Sequence, residues 1–137
     1  MKISVKACIV DLSTGRLVVQ ERDENARVYK GHLTLIGGDP KGNETPEECN
    51  RRESKEETGL TPKSSKLLGY IDINDGQGKR FFYFLSEVDN KEGLIQGEGR
   101  ILTISRAEYQ EWLKAGKVTP IMAQAIEAYD DHLKNWR

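Results

Sequence analysis

Cysteine is scarce: Cys8 and Cys49 are the only two in 137 residues. They lie far apart in unlike contexts, which argues against a disulfide framework or a zinc site and for reduced thiols in a cytoplasmic protein. Long apolar runs are missing as well. No segment approaches the roughly 18 apolar residues of a membrane span, and the opening MKISVKACIVD lacks the apolar core of a signal peptide. Neither a membrane partner nor a membrane anchor is expected. A surplus of basic residues is also missing, since 21 Lys and Arg stand against 22 Asp and Glu, for a net charge of -1. Nonspecific nucleic-acid binding rests on a basic face or stripe, so no nucleic-acid partner is expected. Repeats, linkers and low-complexity segments are absent too. The length suits one domain, residues 1–137.

What the chain does have is charge, 31% of its residues, and the charge is ordered most strictly between residues 38 and 60. That stretch reads GDPKGNETPEECNRRESKEETGL. Thr45-Pro46-Glu47-Glu48 has the form of a helix start, with Thr at the N-cap, Pro at the first position and Glu at the third. Gly59 then suits the C-terminal stop. On that helix Glu53, Glu56 and Glu57 are spaced i, i+3 and i+4, which puts three carboxylates on one face. Like charges at this spacing repel, and the negative end of the helix dipole disfavours acids in the last turn. A divalent cation would turn both penalties into attractions. Cys49 is the only clearly apolar side chain from Glu47 to Thr58, so apolar packing alone would hold this helix weakly.

The spacing Gly38, five residues, Glu44, seven residues, Arg52-Glu53, two residues, Glu56-Glu57, one residue, Gly59-Leu60 resembles the Nudix box. The box is the motif of hydrolases acting on nucleoside diphosphates linked to another moiety. Every glycine and charged position of the pattern is filled. Ser54 departs from it, standing where the family usually has an aliphatic residue. Ile36 departs just ahead of it, replacing a proline often found before Gly37-Gly38. The first change bears on packing under the helix and touches no charge.

The flanks supply the frame. Ile3, Val5, Ala7 and Ile9 alternate with Ser4, Lys6 and Cys8 as in a half-buried strand. Ser13-Thr14-Gly15 is turn material before a second hairpin arm, residues 16–20. Residues 21–27 read as an exposed loop whose Arg22 and Arg27 could reach a phosphate. Residues 28–36 read as a strand leading to Gly37-Gly38, and residues 39–43 as a turn. After the box, residues 67–73 and 80–88 are predicted strands joined through Asp75-Gly76. Phe81, Phe82, Tyr83 and Phe84 place aromatics on both faces of the latter, one for the core and one available to a base. Residues 100–104 form another short strand. Ser105 to Glu108 is a second capping box, opening a helix with Tyr109, Trp112 and Leu113 on one face and Gly116 at its end. Thr119-Pro120 opens a last helix, with Met122, Ile126, Tyr129, Leu133 and Trp136 as its core stripe.

Three superficial motifs fail on inspection. Asp72 to Gly76 lacks calcium-loop spacing. Gly97-Glu98-Gly99 lacks the third glycine of a dinucleotide loop, and Asn43 stands where a Walker loop needs Lys. His32, one of two histidines, reads as a packed or hydrogen-bonded strand residue.

The element order implies a mixed sheet with helices on its faces, an α/β or α+β domain. The resemblance implies an α/β/α sandwich around that sheet, with the box forming a loop-helix-loop. It also implies roles. Glu56 and Glu57 match metal ligands, joined by Glu53 and by a backbone carbonyl in the Gly38 region. Glu53 matches the group that orients a metal-bound water or acts as base. Arg52 matches the residue bracing the helix carboxylates, together with Glu44. Glu98 falls where some members place a further ligand or base, though a solvated loop acid is the plain reading. Diphosphate hydrolysis needs charge neutralised on phosphate oxygens and a water placed in line with phosphorus, which magnesium, or manganese in its place, supplies. The resemblance therefore implies a nucleotide-type substrate and a pyrophosphohydrolase. The short N-terminal flank favours the MutT type, acting on nucleoside triphosphates. The alternatives are an ADP-ribose or dinucleoside polyphosphate hydrolase, or a catalytically silent nucleotide-sensing domain.

Overall fold

The computed structural model describes residues 2–74, 76–93, 95 and 100–137. The strands β1 (Lys2–Asp11) and β2 (Arg16–Glu21) form an antiparallel hairpin with Ile9 opposite Val18. Its turn is fastened by the buried carboxylate of Asp11, which accepts from Ser13 N and Oγ, from Thr14 Oγ1 and from Asn90 N. Two short strands follow, β3 (Leu33–Thr34) against β2 and β4 (Ile36–Gly38) against β1. Helix α1 (Pro46–Thr58) comes next, then the long hairpin of β5 (Ser64–Ile73) and β6 (Lys79–Val88). The chain ends with β7 (Ile101–Ile104), α2 (Arg106–Lys114), α3 (Pro120–Tyr129) and a 3-10 turn, Asp130–His132.

The sheet runs β3-β2-β1-β6-β5, with β4 against β1 and β7 against β2. It is mixed, because β1 and β6 run parallel from Lys2 beside Lys79 to Asp11 beside Val88. Both faces are covered. On one, Cys8, Val10, Leu17, Val19, Phe81 and Tyr83 pack with Tyr109 of α2, with Met122, Ala125 and Ile126 of α3, and with Leu133 and Trp136. On the other, Val5 and Phe84 pack with Cys49 of α1, beside a cluster of Ala7, Ile9, Val18, Ile36 and Val88. This is the α/β/α sandwich around a mixed sheet.

Several local expectations change. β1 is buried on both sides, Ser4 and Cys8 included, because it is a central strand with helices on either face. The strand expected over residues 28–36 shrinks to Leu33–Thr34 and Ile36. Upstream of it Tyr29 takes a positive φ of 54° and Gly31 one of 72°, which extended backbone does not tolerate. The last helix stops at Tyr129, and the 3-10 turn carries Leu133 and Trp136 back into the same core. On the face of α2 that carries both, Tyr109 is buried and Leu113 exposed. The aromatic run of β6 is packed on both faces, with Phe82 tilted against Tyr70 at 5.9 Å.

Candidate functional site

Helix α1 starts as its sequence demands. Thr45 Oγ1 accepts from Glu48 N at 3.1 Å, and Glu48 Oε1 accepts from Thr45 N at 3.0 Å. Gly59 closes it in the left-handed conformation, φ 77°, its N–H donating to Lys55 O at 2.8 Å. Its buried face is Cys49, Asn50, Ser54 and Thr58. The missing apolar stripe is replaced by polar bolts. Asn50 Nδ2 donates to Ser65 Oγ at 2.6 Å and to Ser86 Oγ at 3.0 Å, tying the helix to β5 and β6. Ser54 Oγ is buried with no hydrogen-bond partner among the described residues.

The opposite face carries the acids, and Arg52 organises them. Its Nε and Nη2 donate to the two carboxylate oxygens of Glu44. Nη1 donates to Glu53 Oε1 at 2.8 Å and to Glu56 Oε2 at 3.3 Å. Nη2 also reaches Asp39 O at 3.3 Å. One guanidinium therefore joins the loop before the helix to two of the three helix carboxylates. These hydrogen bonds hold the Glu44 carboxyl at about 2, well below its ordinary 4.5, and raise the guanidinium in turn. Glu57 is exposed and makes no ion pair among the described residues.

Gly38 lies directly against this cluster. A side chain there would collide with the Glu53 carboxylate, and one at Gly37 would collide with Val5 O. The absence of a Cβ at both positions lets β4 and α1 close on each other. The Gly38 carbonyl accepts from Ser4 Oγ at 3.2 Å and weakly from Cys49 Sγ at 3.8 Å. Glu98 lies outside the described residues. The His32 Nδ1 lies 3.1 Å from Lys30 O, and its ring is beside Tyr29.

The side chains on this face are oxygen groups, the carboxylates of Glu53, Glu56 and Glu57, and the Gly38 backbone lies against Glu53. Hard divalent cations such as magnesium take that chemistry, a few carboxylates with the rest of the shell left to water and phosphate. Among the described residues no three acidic, histidine or thiol groups already converge into a metal cluster. The face as folded is braced by Arg52, with Glu57 uncommitted and Glu56 held by one long contact.

A feature that sequence reasoning missed adjoins the acids. A cavity of about 440 Å³ opens between β1, the loop after β2 and the first turn of α3. Lys6, Arg22, Tyr29, Ile73, Thr119 and Gln124 are among its lining residues. Arg22 is fixed there by its Nε, which donates to Val28 O at 3.0 Å. The Lys6 ammonium is brought down to about 8 from 10.5, first by burial and then by Lys79 and Arg22, while Asp39 and Glu53 oppose the shift. Two signals were available, Arg22 within reach of a phosphate and a lysine in the middle of a strand.

Comparison with known proteins agrees with this architecture. The structure superposes on NrtR of Shewanella oneidensis with a TM-score of 0.76 at 16% identity, covering 97% of this chain and 64% of that one. For the same protein complexed with a 27mer DNA the values are 0.78 and 15%, covering 96% and 61%. This chain thus spans less than two thirds of the length of NrtR. A NUDIX hydrolase from Nitrosomonas europaea superposes with a TM-score of 0.72 at 23% identity, covering 96% of this chain and 89% of that one. No helix among the described residues is long and apolar enough to cross a membrane. Residues 2–132 match the NUDIX domain, and the chain belongs to that family.

Proposed function

We propose that this protein is a magnesium-dependent hydrolase of the diphosphate linkage in a nucleotide or nucleotide derivative. The reading favoured is a nucleoside triphosphate pyrophosphohydrolase of the MutT type, working as a single cytoplasmic domain over residues 1–137. The observation that carries the proposal is the acidic face of α1, where Arg52 ties Glu44, Glu53 and Glu56 into one unit beside Gly38. A stable helix alone has no use for three acids in its last turns. The cavity beside that face, with two cations and an aromatic ring, supports a nucleotide-sized substrate.

In this proposal Glu56 and Glu57 hold the cation, and Glu53 and the Gly38 carbonyl are further oxygen donors. The bound ion supplies charge neutralisation on phosphate oxygens and a more acidic water. Glu53 orients the attacking water and takes its proton. The water oxygen bonds to phosphorus as the bridging P–O bond breaks, and the bridging oxygen leaves with the departing phosphate or pyrophosphate. Arg52 keeps Glu53 and Glu56 in place throughout, so its role is bracing. Glu98 is a further candidate ligand or base. The DNA of the NrtR complex belongs to that protein, and no nucleic-acid partner is proposed here.

The test is a screen for release of cleavage products: pyrophosphate or phosphate from nucleoside triphosphates, AMP with ribose 5-phosphate from ADP-ribose, and two mononucleotides from dinucleoside polyphosphates, with magnesium, with manganese and with EDTA. Metal-dependent release from nucleoside triphosphates is the expected result. Release only from one of the other classes would move the assignment to that class. Nucleotide binding without turnover of any of them would identify a silent sensing domain instead.

A further inference from the structure

Among the described residues Lys6 is a cation without an ion-pair partner. It makes no side-chain hydrogen bond among them either, although the charges of Asp39 and Glu53, like those of Lys79 and Arg22, are felt at its ammonium. Its strand position places it opposite Gly37 in β4 and beside Tyr83 in β6, at the joint between the box and the cavity. A Cβ on Gly37 would press on the Lys6 side chain at 3.0 Å, so the bare glycine is what lets the lysine stem pass along the loop. The stem enters a cavity whose lining holds Arg22 as a second cation and no acid among the described residues. The first turn of α3 closes the same cavity with Thr119 and Gln124, adding the positive end of a helix dipole. Holding an unpaired ammonium in a partly buried site is costly unless an anion arrives to meet it.

Building on the hydrolase reading, we infer that Lys6 is a positioning residue for the substrate: it grips the phosphate that adjoins the moiety seated in this cavity. The acids of α1 and the ammonium of Lys6 then lie on opposite sides of the diphosphate. That arrangement decides which phosphorus faces Glu53 and selects substrates with an anionic oxygen next to the organic group. Arg22 supplements the grip, and Tyr29 adds an aromatic ring to the same lining.

The experiment is equilibrium binding by calorimetry, in magnesium, of the α,β-methylene diphosphates of adenosine, guanosine, cytidine and uridine, which cannot be cleaved between those phosphates. Wild type is compared with Lys6→Met, Lys6→Gln and Lys6→Arg, each also measured for magnesium binding alone and for melting temperature. Loss of a charged hydrogen bond should weaken the best analogue about tenfold or more in the Met and Gln variants. Magnesium affinity and melting temperature should stay near wild type, and Lys6→Arg should recover most of the loss. Wild-type affinity in both Met and Gln variants would overturn the inference. So would a parallel loss of magnesium binding, or a Lys6→Arg variant no tighter than Lys6→Met. If wild type binds none of the four analogues, this inference is overturned, while the hydrolase reading stands or falls on the product-release screen.

Discussion

Arg52 and Glu44 are joined by a two-pronged ion pair, Nε to Oε2 at 2.8 Å and Nη2 to Oε1 at 2.9 Å. The pair links residues eight apart and fixes the loop that leads into α1. Arg52→Ala should lower both melting temperature and turnover, because it strands Glu44 and releases Glu53 and Glu56. Arg52→Lys keeps the charge but not the fork, so it should fall between the two. Unchanged melting with abolished turnover would refute the bracing role and point to direct substrate contact.

The same pair sets an acid dependence. Glu44 has its carboxyl lowered to about 2 in the folded protein, mainly by hydrogen bonds from Arg52, against an ordinary 4.5. A depressed carboxyl adds stability above its unfolded value and loses it as the pH falls toward the folded one. Thermal melts of wild type should therefore decline between about pH 5 and pH 2. In Glu44→Gln that part of the decline should vanish. An identical pH profile in the variant would show that Glu44 contributes nothing to it.

Glu56→Gln and Glu57→Gln should each remove nearly all hydrolysis while preserving the fold. Glutamine keeps the size and helix preference of glutamate but replaces an anionic donor with a neutral one. A cost on the order of a hundredfold or more in rate is expected for such a loss in a catalytic site. Without metal, stability should hold or rise slightly, since repulsion along the helix is relieved. Steady-state rates near wild type in either variant would remove that residue from the proposed ligand set.

Magnesium should raise the melting temperature of nucleotide-free protein relative to EDTA. A ligand that binds only the folded state at a hundredfold excess over its dissociation constant adds about 2.7 kcal/mol. Differential scanning of the two samples is the measurement. An unchanged curve in millimolar magnesium would argue against a site on this helix face.

Ser54→Ala should stabilise the protein by about 0.5–1 kcal/mol, through removal of an unsatisfied buried hydroxyl and a gain in helix propensity. Denaturant unfolding reads the difference. Destabilisation of that size would mean that the hydroxyl has a partner, such as a buried water.

The parts of this molecule that could be read from sequence are those decided by neighbours in the chain. Thr45, Pro46, Glu48 and Gly59 mark both ends of α1 because capping is a local transaction between residues three or four apart. Ser105 and Glu108 mark the start of α2 in the same way. The carboxylate face followed from helical spacing alone. Residues 28–32 misled because β-like composition says nothing of Tyr29 and Gly31 turning back at positive φ. The stripe through Trp136 was right about burial and wrong about the helix, since a 3-10 turn can deliver the same side chains to the core. Asn50 and Lys6 were invisible for another reason. Each acquires its role from residues distant in sequence, Ser65 and Ser86 for the first and the cavity up to Gln124 for the second.

The polar underside of α1 also sets the order in which the molecule can open and close. Asn50 has nothing to grip until β5 and β6 lie side by side, and β6 in turn must find β1 across 77 residues, as in Lys2 beside Lys79. A helix with so little apolar surface does not persist alone. It should dock last in refolding and detach first in native fluctuations. Amide protons in α1 should accordingly exchange faster than those in β1 and β6, through an opening that leaves the sheet closed. A divalent ion on the acids would slow that exchange selectively, so that the proposed metal-binding face becomes rigid only when it is loaded.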